Sequence, residues 1–202
     1  MLDLSFFDDD PHTVARNLLG CMLVRTLDED ICSCRIVEVE VYGGVEDASS
    51  HANSGRPTKK TASMFDSPGT IYVYSIHRYF CLNVVTSATP DKPSAILIRA
   101  AEPLEGMHIM ARHRNVDLNA PRGAQKLLSG PGKLCQALAI DRRYDGLRYD
   151  SKALYFEEGI TLPDHQVVRS KRVGLNPKTC GDSVHRPWRY LEQGSRYLSK
   201  KA

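Results

Sequence analysis

Periodic apolar positions divide the first half of the chain into one short helix and a series of strands. Asp10-Pro11 is typical of a helix start, and an apolar stripe follows at Val14, Leu18 and Leu19. The next runs alternate and are rich in β-branched and aromatic residues, which predicts strands. These strands are Cys21–Leu27, Ile31–Tyr42, Thr70–Ser75, Tyr79–Thr86 and Ala95–Ala100. The third and fourth are separated by about three residues, so we expect a hairpin.

The second half predicts further helices and shorter strands. Pro103 is expected to open a helix that runs through Arg112, and a second helix is expected over Lys133–Ile140. Short strands are expected near Tyr155, Val167 and Arg189–Tyr190. The sequence has no internal repeat and no clear linker, so we predict one α+β domain over residues 1–202.

One strand carries the first candidate chemistry. In the run Ile31–Tyr42, alternation puts Val37, Val39 and Val41 on one face and Glu38, Glu40 and Tyr42 on the other. Buried carboxylates are costly unless they are paired or functional. The alternative interpretation is an edge strand with an ordinary solvated face. The strand leads into residues 43–69, a stretch long enough to predict a functional loop.

Aromatic and charged residues on the later strands extend this pattern. Tyr72 and Tyr74 share one strand face, which favours either a base-stacking platform or a half-buried amphipathic sheet. Arg99 interrupts an apolar strand, so we expect it to pair with Glu38 or Glu40.

Composition and cysteine spacing limit the class of protein. The chain is 42% hydrophobic and 25% charged, which excludes disorder throughout. No apolar run approaches the roughly 20 residues of a membrane span, and the N-terminus is acidic where a signal peptide is basic. We therefore expect a soluble protein that is neither secreted nor bound to a membrane. The six cysteines contain no Cys-x-x-Cys pair, which predicts reduced thiols, no metal and no cofactor.

Charge is distributed unevenly along the chain, although the net charge is only +3. Residues 1–50 hold 11 acidic and 3 basic residues, and residues 51–202 hold 13 acidic and 24 basic residues. This asymmetry favours either a face that binds a polyanion or a lopsided solvated surface.

Several long segments resemble one known family, the alkyladenine (3-methyladenine) DNA glycosylases. The similarity runs in order from about Leu4 to the end of the chain. The segments that carry it are Ile36–Tyr42, Glu46-Asp47, His51, Met64–Tyr74, Arg99–Gly106, Ser129–Leu138, Arg172–Gly174 and Pro187–Tyr190.

The resemblance implies a fold and a reaction. The fold would have a curved mixed, mainly antiparallel sheet, flanking helices and a protruding β-hairpin. The reaction would be that of a monofunctional DNA glycosylase in base excision repair. Such an enzyme flips alkylated or deaminated purines out of the duplex and hydrolyses the N-glycosidic bond. Substrates of this class are 3-methyladenine, 7-methylguanine, ethenoadenine and hypoxanthine. No lysine lies in the pocket motifs, so lyase activity is not expected.

The resemblance also assigns roles to single residues. Glu40 corresponds to the acid that activates water, and Arg99 and the main chain of Val173 to groups that hold that water. The remaining assignments are Tyr42, His51 and Tyr74 for the base pocket, Asn83 for exclusion of guanine, and Arg56 and Lys133 for the DNA backbone.

The hairpin departs from the family pattern. The segment Tyr74–Asn83 is one residue shorter than usual, and His77 stands where an intercalating tyrosine is expected. We predict that His77 enters the DNA, with Ile76, Arg78 or Tyr79 as alternatives.

Two other function classes remain open from the residues alone. A non-catalytic binder of damaged or kinked DNA would explain the basic half but not Glu40 and Arg99. A carbohydrate hydrolase could use Glu38 and Glu40 as a pair, but it would not need the basic half. We expect a monomer that acts on double-stranded DNA in a DNA-containing compartment: the nucleus of a eukaryote, or the cytoplasm and nucleoid of a bacterium.

Overall fold

A curled antiparallel sheet forms the centre of the protein. The computed structural model describes residues 1–86 and 93–201. Its strands pair in the order β3-β4-β5-β2-β1-β7-β6, and β9 pairs with both β2 and β8. The strands are β1 (Met22–Leu27), β2 (Asp30–Gly43), β3 (Ile71–Ile76), β4 (Tyr79–Thr86), β5 (Ser94–Glu105), β6 (Asp150–Ser151), β7 (Leu154–Glu157), β8 (Val167–Ser170) and β9 (Arg189–Glu192). Every strand pairing within the described residues is antiparallel, so the parallel component of the expected mixed sheet is absent there.

Short helices flank the sheet and complete a compact α+β domain, as predicted. Asp10 caps the first helix by accepting hydrogen bonds from the main-chain N–H groups of His12 and Thr13. No helix in the described part of the chain is long and apolar enough to cross a membrane. The helices are α1 (Pro11–Leu18), α2 (Met107–Arg114), α3 (Gly123–Leu128), α4 (Pro131–Ala137) and α5 (Pro177–Cys180), with 3-10 turns at Leu4–Phe6, Ala62–Phe65, Arg142–Tyr144, Asp164–Gln166 and Gly181–His185.

Strand β2 is a central strand with both faces buried, so the edge-strand alternative is wrong. It pairs with β5 along one side and with β1 and then β9 along the other. The register with β5 shifts on both sides of Glu38, which marks a β-bulge. Before the bulge the even-numbered residues Cys34 and Ile36 face the main core. After it the odd-numbered residues Val39 and Val41 do so. The bulge thereby turns Glu38 and Glu40 away from the main core, as bulges near active sites commonly do.

The predicted start of a helix at Pro103 is wrong. Pro103 lies in β5, opposite Cys34, beside a register shift in the ladder. Because proline has no N–H to donate, it is tolerated at such an irregularity. Helix α2 begins instead after Gly106, which has a φ of 72°. A Cβ on Gly106 would lie 2.6 Å from the carbonyl oxygen of Ile31, so the close approach requires glycine.

Strands β3 and β4 form the predicted hairpin. Ile76 pairs with Tyr79, which leaves His77 and Arg78 as a two-residue turn. Both turn residues have positive φ, 47° and 70°, as a type I′ turn requires. The hairpin rests on α4, where a Cβ on Gly132 would lie 2.8 Å from the Cβ of Tyr79.

Candidate active site

A cavity of about 260 Å³ opens beside the hairpin, where β2, β3, β4 and β5 meet the loop after β8. Its volume is just below the roughly 300 Å³ at which small-molecule pockets begin. A space of this size suits one small, flat group. The lining residues are Tyr42, Ser49, His51, Met64, Tyr72, Tyr74, Ile76, Cys81, Asn83, Ala95, Leu97, Arg99, Pro131, Val173, Gly174 and Leu175.

Glu40 lies directly behind this lining and has no solvent exposure. Its Oε1 accepts a hydrogen bond of 2.6 Å from the main-chain N–H of Val173. Its Oε2 accepts from the Tyr42 hydroxyl at 2.9 Å and from Arg99 Nη1 at 3.2 Å. All three donors belong to residues that line the cavity, so Glu40 is connected to the cavity through each of them.

Burial raises the pKa of the Glu40 carboxyl above its ordinary value. Arg99, the Val173 N–H and the Tyr42 hydroxyl act in the opposite direction, because each stabilises the carboxylate. The Tyr42 pKa is also raised by burial and by the neighbouring Glu40 charge, so its phenol keeps its proton and remains a donor. The arrangement therefore contains a carboxylate with an elevated pKa, which is typical of acid–base sites.

Arg99 joins both strand carboxylates, as predicted. Its Nε donates to Glu38 Oε1 at 3.1 Å while Nη1 donates to Glu40 Oε2. Burial lowers the Arg99 pKa, but Glu40 and Glu38 more than offset that effect and raise it. Glu38 accepts in addition from Arg189 Nε at 2.7 Å and does not line the cavity. Glu38, like Glu40, lies behind the lining, and it is paired with two arginines.

A second buried ion pair holds the chain at Val173. Arg172 Nη1 lies 2.6 Å from Asp47 Oδ2, and both side chains have no solvent exposure. The same guanidinium donates to the main-chain oxygens of Val41 and Ser183. Burial alone would raise the Asp47 pKa, but hydrogen bonds from Arg172 and Ser49 lower it overall. The pair ties the chain before Val173 to the loop after β2. Below, "pocket floor" means Glu38, Glu40, Asp47, Arg99 and Arg172.

Aromatic rings form the walls of the cavity. The His51 and Tyr74 rings meet edge to face at 4.6 Å, and the Tyr72 hydroxyl lies 2.8 Å from His51 Nδ1. Desolvation lowers the His51 pKa, which favours the neutral ring. The Arg172 guanidinium lies 4.8 Å from the centre of the Tyr42 ring. His51 is exposed, but its contacts with Tyr72 and Tyr74 fix it against the wall.

Asn83 is a rigid part of the wall. Its side chain is 2% exposed, and Nδ2 donates to the main-chain oxygens of Tyr72 and Cys81 at 3.0 and 3.2 Å. Because both amide protons bond to the sheet, the side chain is fixed in place and does not move aside for a bulky ligand.

The other predicted residues are exposed, and most of them lie outside the cavity lining. Arg56, His77 and Lys133 are all exposed, and none of them lines the cavity. Ile76, on the same face of β3 as Tyr72 and Tyr74, does line it and is 50% exposed. Below, "rim" means Arg56, Ile76, His77 and Lys133.

Sequence reasoning gave no role to several residues that the site uses. Asp47, Arg172 and Arg189 stood in the family segments, but nothing in their spacing connected them to Glu40 or Glu38. Ser199 lies close to the C-terminus and donates to Glu38 from both its N–H and its hydroxyl. Two features of the sequence could have indicated a role for such residues. Asp47 is an acid in a polar loop, and Arg189 follows the single tryptophan.

The cysteines and acids form no cluster of metal-binding type within the described residues. All six cysteines are free and buried. Burial raises the pKa of Cys21 to about 11, so this thiol is unreactive at neutral pH.

Comparison with known proteins gives a consistent result. A family model described as methylpurine-DNA glycosylase (MPG) matches residues 5–196. A protein of Natranaerobius thermophilus is 36% identical over 200 residues, covering 98% of both chains. Proteins of Bacillus cereus and Clostridium beijerinckii are 38% and 35% identical, covering 98% and 100% of both chains. All three relatives are provisionally named 3-methyladenine DNA glycosylases.

The match covers every residue that lines the cavity, and also Glu40 behind the lining. Fold, site and sequence comparison agree in this respect. The chain belongs to the methylpurine-DNA glycosylase family.

Proposed function

We propose that this protein is a monofunctional DNA glycosylase of base excision repair. It flips an alkylated or deaminated purine out of double-stranded DNA and hydrolyses its N-glycosidic bond, which leaves an abasic site. The substrates are of the 3-methyladenine, 7-methylguanine, ethenoadenine and hypoxanthine class. The observation that carries this proposal is Glu40, a buried carboxylate with an elevated pKa directly behind an aromatic cavity the size of one base.

A base inside a duplex cannot present its glycosidic bond to an enzyme, so the nucleotide must leave the stack. The space between Tyr42, Tyr74 and His51 would receive the base, with its planar faces against the rings. Electron-rich rings favour a cationic alkylpurine over a neutral base by a cation–π contribution. Flipping costs a few kcal/mol and less for a weakly paired damaged base, so the two effects together give selectivity.

The carboxylate of Glu40 would accept the proton of the attacking water. A carboxylate offers about four acceptor sites, and three of those on Glu40 are occupied by Val173, Tyr42 and Arg99. Among the described residues Oε1 accepts only the Val173 N–H, so the remaining site is on Oε1. The main chain of Val173, which already donates to Oε1, would help to position the same water.

The transition state would develop positive charge on the sugar as the base departs. The Glu40 charge stabilises an oxocarbenium-like sugar, and the damaged base needs less assistance because it is an activated leaving group. No lysine occurs among the lining residues in the described ranges, which supports hydrolysis over Schiff-base chemistry.

The rim would bind the DNA. Arg56 and Lys133 would contact phosphates, and His77 would enter the helix where the flipped nucleotide was stacked. The tight turn puts His77 and Arg78 at the outermost point of the hairpin. Asn83 would exclude guanine through its 2-amino group, because its side chain is fixed. The protein would act as a monomer wherever the cell keeps its DNA.

The two alternatives are less well supported. A carbohydrate hydrolase would need a second acid with an acceptor site to spare, but Glu38 already accepts four hydrogen bonds from Arg99, Arg189 and Ser199. A non-catalytic binder of damaged DNA would have no use for the proton-accepting site on Glu40.

The test is incubation with a duplex that contains one hypoxanthine or one 1,N6-ethenoadenine, followed by alkaline cleavage. A strand break at the lesion that appears only after alkali indicates base release without lyase activity. A break before alkali contradicts the monofunctional assignment. If the protein binds the lesion duplex but no break appears before or after alkali, the non-catalytic binder is favoured.

A further inference from the structure

The C-terminal segment contacts the back of the pocket floor. After β9 the chain returns so that the Ser199 N–H donates to Glu38 Oε2 at 2.6 Å. The Ser199 hydroxyl donates to Glu38 Oε1 at 2.7 Å, and Arg99 Nε lies 3.2 Å from the same hydroxyl. Arg189, itself bound to Glu38, donates to the main-chain oxygen of Lys200. Four polar contacts therefore dock a segment that could otherwise be a free tail.

Glu38 and Glu40 share one guanidinium. Arg99 donates from Nε to Glu38 and from Nη1 to Glu40. Glu38 has no solvent exposure, so bulk water does not supply it with further hydrogen-bond donors. A buried carboxylate that loses a donor must replace it or bear the cost of an unmade hydrogen bond. Ser199 supplies two donors to Glu38, so Arg99 can leave Nη1 on Glu40.

We propose that Ser199 is a positioning residue for base release, because it saturates Glu38 and thereby keeps the Arg99 guanidinium turned toward Glu40. This inference rests on the proposed function, in which Glu40 accepts a proton from water. Ser199 touches neither the cavity nor Glu40 and acts only through Glu38 and Arg99.

Removal of the Ser199 donors draws Arg99 toward Glu38 and weakens its bond to Glu40. The other described groups that face Glu40 are the Tyr42 hydroxyl, the Val173 N–H, the neutral Tyr74 and Cys81 on β3 and β4, and Glu38, whose charge raises the Glu40 pKa. Arg99 is the one cation among these groups in the described part of the chain, so a longer distance between Arg99 and Glu40 leaves the effect of burial on the Glu40 pKa less opposed. The Glu40 pKa then rises, so Glu40 takes up its proton at a higher pH than in the wild type.

The experiment measures single-turnover base release from a hypoxanthine duplex between pH 5 and 9. Ser199→Ala is compared with Ser199→Thr, which keeps the hydroxyl, and with a chain that ends at Leu198, which also loses the N–H. Ser195→Ala is the matched control, since this serine lies in the same segment and bonds to Tyr197 instead of Glu38. Lesion-duplex Kd and thermal midpoint are measured for every variant.

We expect the acid limb of the Ser199→Ala profile to be displaced to higher pH, so that base release is slower than in the wild type on the acid side and similar to it on the alkaline plateau. The shortened chain should show the larger change. Ser199→Thr and Ser195→Ala should match the wild type, and the Kd of Ser199→Ala should be unchanged.

Three results would overturn the inference. Ser199→Ala and the shortened chain could both match the wild type in rate and profile. Ser199→Ala could instead lose activity equally at every pH with a lowered thermal midpoint, which indicates a structural role alone. A wild type that releases no base from hypoxanthine, ethenoadenine or 3-methyladenine duplexes would overturn the proposed function, and this inference with it.

Discussion

Charged side chains of the pocket floor are almost completely buried, whereas those of the rim are exposed. Glu38, Glu40 and Asp47 have no solvent exposure, and each accepts at least three hydrogen bonds. At the rim, Arg56 and His77 make no ion pair among the described residues.

The difference separates two tasks. A proton-accepting group works best when its partners are already in place, because no reorganisation is then needed during the reaction. A surface that binds DNA gains from long, solvated side chains that can follow the phosphates. Changes in the floor should therefore affect chemistry and stability strongly, while changes at the rim should affect binding in small steps.

The largest expected effect is on Glu40. Glu40→Gln should lower single-turnover base release by about 10²–10⁴-fold, the usual contribution of a general base. Lesion binding should persist, because the amide keeps the size and shape of a side chain that lies behind the cavity lining.

Glu46→Gln is the matched control, since Glu46 is exposed on the loop that follows the same strand. It should act like the wild type. Near-normal release by Glu40→Gln would contradict the assignment of Glu40 as the base.

The next effect is on stability. Asp47→Ala leaves Arg172 buried without its anion, and breaking a buried pair in this way costs about 3–5 kcal/mol in the free energy of unfolding. Arg56→Ala at the rim should change it by no more than about 0.5 kcal/mol. Urea unfolding at pH 7 of both variants measures the contrast. Equal midpoints for the two would show that floor and rim do not differ as proposed.

The pair also predicts how stability depends on pH. Because the Asp47 pKa is lowered in the folded protein, its contribution is present above the ordinary aspartate pKa of 3.8. The contribution is lost as pH falls through the lowered value. The stability difference between wild type and Asp47→Ala should accordingly shrink in acid.

A smaller effect concerns selectivity. Asn83→Ser should raise the release of guanine-type lesions relative to hypoxanthine by about tenfold, or about 1.4 kcal/mol, because a smaller side chain makes room for the 2-amino group. The ratio of single-turnover rates on the two duplexes measures it. Asn119→Ser, at an exposed position, serves as the control. An unchanged ratio would remove Asn83 from the selectivity filter.

The smallest effect is at the hairpin turn. His77→Ala should lower the equilibrium extent of flipping severalfold, and His77→Tyr should raise it, because stacking area decides how well a wedge fills the gap. Fluorescent-base titrations of these variants and of Ile76→Ala measure it. If His77→Ala matches the wild type and Ile76→Ala does not, the wedge is Ile76.

The sequence predicted the elements near the site well and their register poorly. Alternation was enough to place Glu38, Glu40 and Tyr42 on one face, and the apolar flanks of Arg99 were enough to predict its partners. The bulge beside Glu38 left no signal, since it arises from pairing between β2 and β5. The same holds for Pro103, which local rules assign to a helix start and strand pairing assigns to β5.

Long-range partners were out of reach for the same reason. Arg172 meets Asp47 across 125 positions, and Ser199 meets Glu38 across 161. No local pattern encodes such separations. At the turn His77-Arg78, the sequence showed that the hairpin is one residue shorter than in the family. It did not show that two non-glycine residues adopt positive φ.

The central claim is that Glu40 acts as the base from a buried position that raises its pKa. The pH profile of single-turnover hypoxanthine release, measured between pH 4.5 and 8.5, tests it most directly. Ionised Glu40 is the active form, so the rate should fall as pH decreases, through a pKa above the ordinary glutamate value of 4.5. Glu40→Gln should lack this acid limb. A wild-type rate that is flat down to pH 4.5, or that increases in acid, would contradict the account.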